Sequence, residues 1–173
     1  MDIDQEQDRY SPNPHFNVFI VTVLDVFASL AEFGFSLDSY GDFSYECVVG
    51  FKNATTGILV YYEMPSQLSV ALAKLDSNGR ISQNAYGLVY LIQERCPDYL
   101  ISQTMSNSDP DTGFRELLEL YATIIREHAV DVMAGDFSVF PILKQRVRDQ
   151  INKNKREETA KNKAKGTKRS KGG

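Results

Sequence analysis

Proton transfer and metal binding need imidazole, thiol or carboxylate groups brought close together. One stretch of this chain supplies several of them: Glu127, His128, Asp131 and Asp136. On a helix only His128 and Asp131, three residues apart, share a face, and two ligands fall short of the three or four of a metal site. His128 also falls on the apolar stripe of its helix, where a histidine serves as a boundary residue of the core. A small enzyme using His128 with a carboxylate is therefore a subordinate reading. His15 has no serine, cysteine or carboxylate at a diagnostic spacing. The patterns G-x-S-x-G, G-x-x-x-x-G-K, G-x-G-x-x-G, H-E-x-x-H and paired C-x-x-C do not occur, so the sequence assigns no catalytic residue, metal ligand or cofactor. Carboxylate pairs such as Glu116 with Glu119 read as solvated helix faces.

A second chemistry is recognition. Tyr45, Tyr61, Tyr62, Tyr86, Tyr90 and Tyr99 combine large contact area with a hydroxyl, a pairing favoured at protein interfaces. At least half of these are expected to be buried. Tyr45, Glu46, Tyr61 and Glu63 are the candidate protein-binding residues, because an uncovered face carrying them would be aromatic and acidic.

Charge divides the chain in the same sense. Nine basic and two acidic residues lie from Lys153 onward, against ten basic and 21 acidic residues before it. The acidic body favours basic partners and repels nucleic acid, whereas the tail does the opposite. Lys161, Lys163, Lys165, Lys168 and Arg169 are the candidate phosphate contacts of a nucleic-acid-associated alternative. No aromatic residue interleaves them, so sequence-specific reading is not expected.

The elements that must position these groups follow from periodicity. Asn13 and Pro14 start a helix carrying Phe16, Ile20, Val23, Phe27 and Leu30 at spacings of three or four, and Gly34 stops it. Asp25 lies inside this apolar segment, and a central Asp costs about 2.5–3.5 kcal/mol on membrane insertion. A soluble amphipathic helix is the expectation, with no membrane partner. Phe35–Leu37 reads as a short strand and Ser39–Asp42 as a turn. From Ser44 to Leu75 alternating apolar residues broken by Asn53–Gly57 and Pro65 predict an antiparallel meander. A helix is expected from about Asn84 to Arg95, a polar loop over Ser102–Thr112, a strong amphipathic helix from Phe114 through Val132 to Gly135, and a last helix from near Phe137.

The composite expectation is an α+β fold: a small antiparallel meander of three to four strands packed against an N-terminal helix and C-terminal helices. Residues 1–12 form a flexible N-terminus, 13–152 a single domain and 153–173 a basic disordered tail. Cys47 and Cys96 follow an acidic N-terminus without the basic start of a signal peptide; they read as reduced, buried thiols of a cytoplasmic protein.

Two segments, GFSLDSYGDFSYECVVGFKNATTGILVYYE and AVDVMAGDFSVFPILKQRV, within the span from Phe16 to Gln150, resemble small bacterial α+β proteins that include immunity proteins of toxin systems. The likeness is one of layout and of the Gly135–Phe140 segment. It implies a non-enzymatic protein-binding role, with a basic toxin domain as the partner class, and it transfers no catalytic residues.

Overall fold

The computed structural model describes residues 14–64, 67–98 and 110–169. The chain divides into two compact units, Met1–Phe137 and Ser138–Gly173. The first unit is α+β, built on a five-stranded antiparallel sheet in sequential order. Its strands are β1 (Ser36–Phe43), β2 (Glu46–Lys52), β3 (Thr56–Glu63), β4 (Gln67–Leu75) and β5 (Ile81–Gly87). Helix α1 (Pro14–Phe27) precedes the sheet, and α2 (Leu88–Arg95), α3 (Pro110–His128) and α4 (Val130–Met133) follow it.

Alternation sorts the strands into two faces. Cys47, Val49 and Phe51 of β2 pair with Tyr62, Val60 and Ile58 of β3, which pair in turn with Leu68, Val70 and Leu72 of β4. All nine are buried, making this the core face of the sheet. The α1 stripe lies against it: Phe27 stacks on Phe51 with centroids 5.5 Å apart, while Phe16 and Phe19 lie 6.0 and 5.4 Å from the Tyr62 ring. Phe114 of α3 meets Tyr62 edge-on at 4.7 Å, so one tyrosine joins two helices to the central strand. Leu88, Leu91 and Ile92 of α2 are buried at helical spacing.

Phe16–Phe33 is long and apolar enough to cross a membrane by length and composition. Here it breaks at Phe27 into α1 and a 3₁₀ helix, Ala28–Phe33, and Phe16, Phe19, Ile20, Val23, Phe27 and Leu30 are buried. Gly34 ends it in the left-handed conformation, φ 78°, donating its N–H to the carbonyls of Ala31 and Leu30. The Asn53–Thr55 turn then ties the layers together. Asn53 Oδ1 accepts the N–H groups of Thr55 and Thr56 at 2.9 and 2.8 Å, and its Nδ2 donates to the carbonyls of Phe33 and Met133 at 3.2 and 2.8 Å.

Several boundaries differ from expectation. The sheet has five strands rather than three to four. Ser39–Asp42, expected as a turn, lies inside β1, because Tyr40, Gly41 and Asp42 pair with Val49, Val48 and Cys47; the ladder overrides local turn preference. The turn falls at Ser44, φ 46°. Residues 84–87, expected to be helical, lie in β5 instead, Tyr86 opposite Leu72, and helix begins only at Leu88. The amphipathic helix expected to run through Val132 to Gly135 starts at Pro110, as α3, and is interrupted at Ala129. The expectations for residues 1–13, Pro65, Tyr99 and most of the 102–112 loop lie outside the described residues.

The second unit holds α5 (Phe140–Arg169). The stretch from Lys153, expected to lack structure, is helical as far as Arg169, and residues 151–161 are all exposed. Lys, Arg, Glu and Ala are good helix formers, and i,i+4 bonds such as Gln150 to Asn154 at 2.8 Å support the backbone without a core.

Candidate functional site

The face of the sheet opposite the core carries Glu46, Val48, Gly50 and Lys52 of β2 and Glu63, Tyr61, Leu59 and Gly57 of β3. Its middle is made of small residues: Gly50 and Gly57 neighbour Ala71 and Ala73 of β4 through Leu59 and the β3–β4 ladder. The β4–β5 turn curls over this middle. Lys52 Nζ donates to the carbonyl of Gly79 at 3.2 Å and pairs with Asp38 at 2.6 Å, and Ile81 lies over Gly57 and Gly50.

Beyond the curl, toward the β1–β2 turn, the described residues cover the face only in part. Register places Phe43, Glu46, Glu63 and Gln67 in one row across four strands, and Gly41, Val48, Tyr61 and Ser69 in the next. Phe43 is 67% exposed and Tyr45, beside the turn, 73% exposed, so two large aromatic side chains stand in water at its edge. Glu63 is exposed and Glu46 half-buried, and no described cation lies within ion-pair distance of either. Burial, helped by the Glu46 carboxylate, pushes the half-buried Tyr61 phenol up from its ordinary value. The four candidate residues therefore occur together: Glu46, Tyr61 and Glu63 on one face and Tyr45 at its margin. Phe43 joins them unannounced. Its place in the row follows from the turn falling at Ser44 rather than at Ser39–Asp42. Tyr62 and Tyr86 belong to the core side of their strands.

His128 lies elsewhere, at the end of α3, with its side chain 29% exposed. Asp131 is not its partner: the break at Ala129 puts Asp131 on α4, where Arg95 holds it through two hydrogen bonds of 2.8 and 2.5 Å. That bond keeps the Asp131 carboxyl below its ordinary value. Arg95 Nη1 also donates to the carbonyl of His128. The imidazole itself faces Cys96, Sγ to Nδ1 3.7 Å, and Glu127, Oε2 to Nε2 3.8 Å. The pairing joins residues 32 apart in the chain, for which spacing offers no signal. Among the described residues no three His, Cys, Asp or Glu side chains gather to hold a metal ion.

A cleft of about 400 Å³ between α1 and α3 is lined by Asp25, Ser29, Arg115, Glu119 and Arg126 among others. Arg115 is already engaged there by Asp25 at 2.8 Å and Glu119 at 3.7 Å, so its charge is compensated. Of the tail residues, Lys161 is exposed on α5, and Lys163, Lys165, Lys168 and Arg169 lie on the last turns of the same helix. No family model matches the chain, and neither the curated proteins nor the solved structures compared with it include a match.

Proposed function

We propose that the chain is a non-enzymatic protein-binding module of immunity type, which covers a basic partner with the open end of its sheet. The observation that carries this reading is the row Phe43–Glu46–Glu63. Like charges directly opposite each other in an antiparallel pair oppose folding by a few tenths to about 1 kcal/mol. A cationic side chain placed between the two carboxylates would relieve that repulsion. Phe43, Tyr45 and Tyr61 around them offer the aromatic contact area typical of interface anchors. The acidic body speeds encounter with a basic protein, and the bound module excludes that protein's own substrate by occupying its surface. A basic toxin domain such as a nuclease is the partner class.

The test compares capture from a source lysate by the native chain and by a Glu46→Lys/Glu63→Lys variant, followed by binding measurements with each purified captured protein. The reading expects a basic protein whose affinity falls with added salt, and falls at least about tenfold on charge reversal. Equal affinity for the two chains removes it.

A second reading concerns α5, which is exposed over residues 151–161 and carries Lys161, Lys163, Lys165, Lys168 and Arg169 toward its end. It would hold nucleic-acid phosphates by counterion release. Deletion of residues 153–173 then abolishes salt-dependent RNA or DNA binding; retained binding rules this use of the helix out.

A further inference from the structure

The pair of Cys96 and His128 is a second centre, independent of the sheet face. Cys96 follows the last turn of α2, half-buried, its N–H donated to the carbonyl of Ile92 at 2.7 Å. Its sulfur lies 3.7 Å from His128 Nδ1, while His128 Nε2 lies 3.8 Å from the Glu127 carboxylate. At that length Glu127 makes no hydrogen bond, but a carboxylate on the Nε2 side still biases the proton toward Nε2 and leaves the Nδ1 lone pair to the thiol. A thiol with a base in reach of its proton is the arrangement that activates a sulfur nucleophile. Arg95 clamps the ends of the two elements that supply them, bonding the His128 carbonyl and the Asp131 carboxylate together.

The geometry points to Cys96 as a reactive thiol, with His128 as its base, that takes a low-molecular-weight disulfide into a reversible mixed disulfide. In this exchange the thiol proton passes to His128 Nδ1 and the Cys96 sulfur attacks one sulfur of the reagent. A new sulfur–sulfur bond forms as the reagent's own bond breaks. The Cys96 sulfur is oxidised, the departing sulfur is reduced, and the leaving thiolate takes the proton back from His128. An external thiol reverses every step.

Cys47 is a built-in contrast. It is fully buried on the core face of β2, and burial, with the Asp42 and Glu46 carboxylates adding to it, pushes its thiol up to about 12. The chain has two cysteines, so with Cys47 sealed away no second accessible thiol of the same chain can displace the adduct. Modification of Cys96 therefore ends at the mixed disulfide.

The experiment treats the full native chain at neutral pH with the neutral chromogenic disulfide dithiodipyridine, follows release of the thiopyridone, and maps the adduct by peptide mass. The expected result is one rapid equivalent, located on Cys96. After correction for free cysteine in the same denaturant, native Cys96 reacts at least about tenfold faster than Cys96 of the urea-unfolded chain. His128→Gln slows the native reaction by a comparable factor. An adduct on Cys47, a native rate at or below the unfolded one, or equal rates for native and folded His128→Gln chains overturns the assignment. The comparison of native with unfolded wild-type chain decides the matter even if His128→Gln does not fold.

Discussion

Gly57 of β3 lies directly beneath Ile81 of β5: a Cβ built on Gly57 would stand 2.6 Å from Ile81 Cγ1 and 2.8 Å from Cγ2. Both of those atoms sit on the branched Cβ of Ile81, so no rotation of a distant end relieves the overlap. The strand itself must move, and with it the turn whose Gly79 carbonyl receives Lys52. Gly57→Ala should cost about 1–3 kcal/mol, read as a lower urea midpoint with an unchanged slope. Adding Ile81→Ala should recover part of that loss, and a strictly additive double mutant would show that the two residues do not touch in solution.

Glu46 and Glu63 carry a prediction in which stability and affinity move in opposite directions. Glu63→Gln removes one member of the facing carboxylate pair and should stabilise the free protein by about 0.2–1 kcal/mol at low ionic strength. Added salt should erase most of the gain, because Glu63 is exposed and its field is screened. The same substitution should weaken a basic partner. Urea denaturation at low and high salt checks the first half; a variant no more stable than the native chain at low salt would mean that the carboxylates do not oppose each other and that a cation placed between them relieves nothing.

Thr56 bonds its hydroxyl to the carbonyl of Val132 at 2.7 Å and is fully buried, linking the start of β3 to α4. Thr56→Val keeps the shape but removes this bond, leaving the Val132 carbonyl only the Gly135 N–H at 3.0 Å, at an expected cost of about 0.5–1.5 kcal/mol. Thr56→Ser retains the hydroxyl and gives up only a methyl group, so it should cost less. Chemical denaturation of the two variants in parallel separates the bond from the packing, and a reversed order would show that the methyl group dominates.

The α+β architecture was legible because its strongest signals are periodic. The apolar stripe of α1 and the alternation of Ile58, Val60, Tyr62, Leu68, Val70 and Leu72 each name a buried face, and each of those residues is buried. What escaped was decided by pairing. Gly41 and Asp42 look like a turn until β2 supplies ladder partners, and Gln83–Gly87 has no apolar alternation to mark it as an edge strand. Tyr61, Glu46 and Glu63 could be placed on one face from parity alone, since a strand's side chains alternate. Phe43 could not join them until the turn was known. The Cys96–His128 contact was out of reach for another reason: it depends on how α2 and α3 meet, which neither helix encodes by itself.

Arg95 and Asp131 predict an acid limb in the stability of the protein. The hydrogen bond from Arg95 holds the Asp131 carboxyl below its ordinary 3.8, so the folded chain binds this proton less readily than the unfolded chain. The stability that the pair contributes is therefore complete above the unfolded value and is lost as pH falls through the lower, folded one. The side chains are 26% and 40% exposed, so solvent screening keeps the contribution small. Asp131→Asn should lower stability near neutrality and show a shallower decline on acidification than the native chain, as followed by urea unfolding from about pH 6 to about pH 2. Parallel acid limbs would mean that the ion pair does not persist in solution. Because Arg95 also holds the His128 carbonyl, its loss should reach the thiol as well: Arg95→Met should slow disulfide exchange at Cys96 while leaving Cys96 and His128 themselves intact.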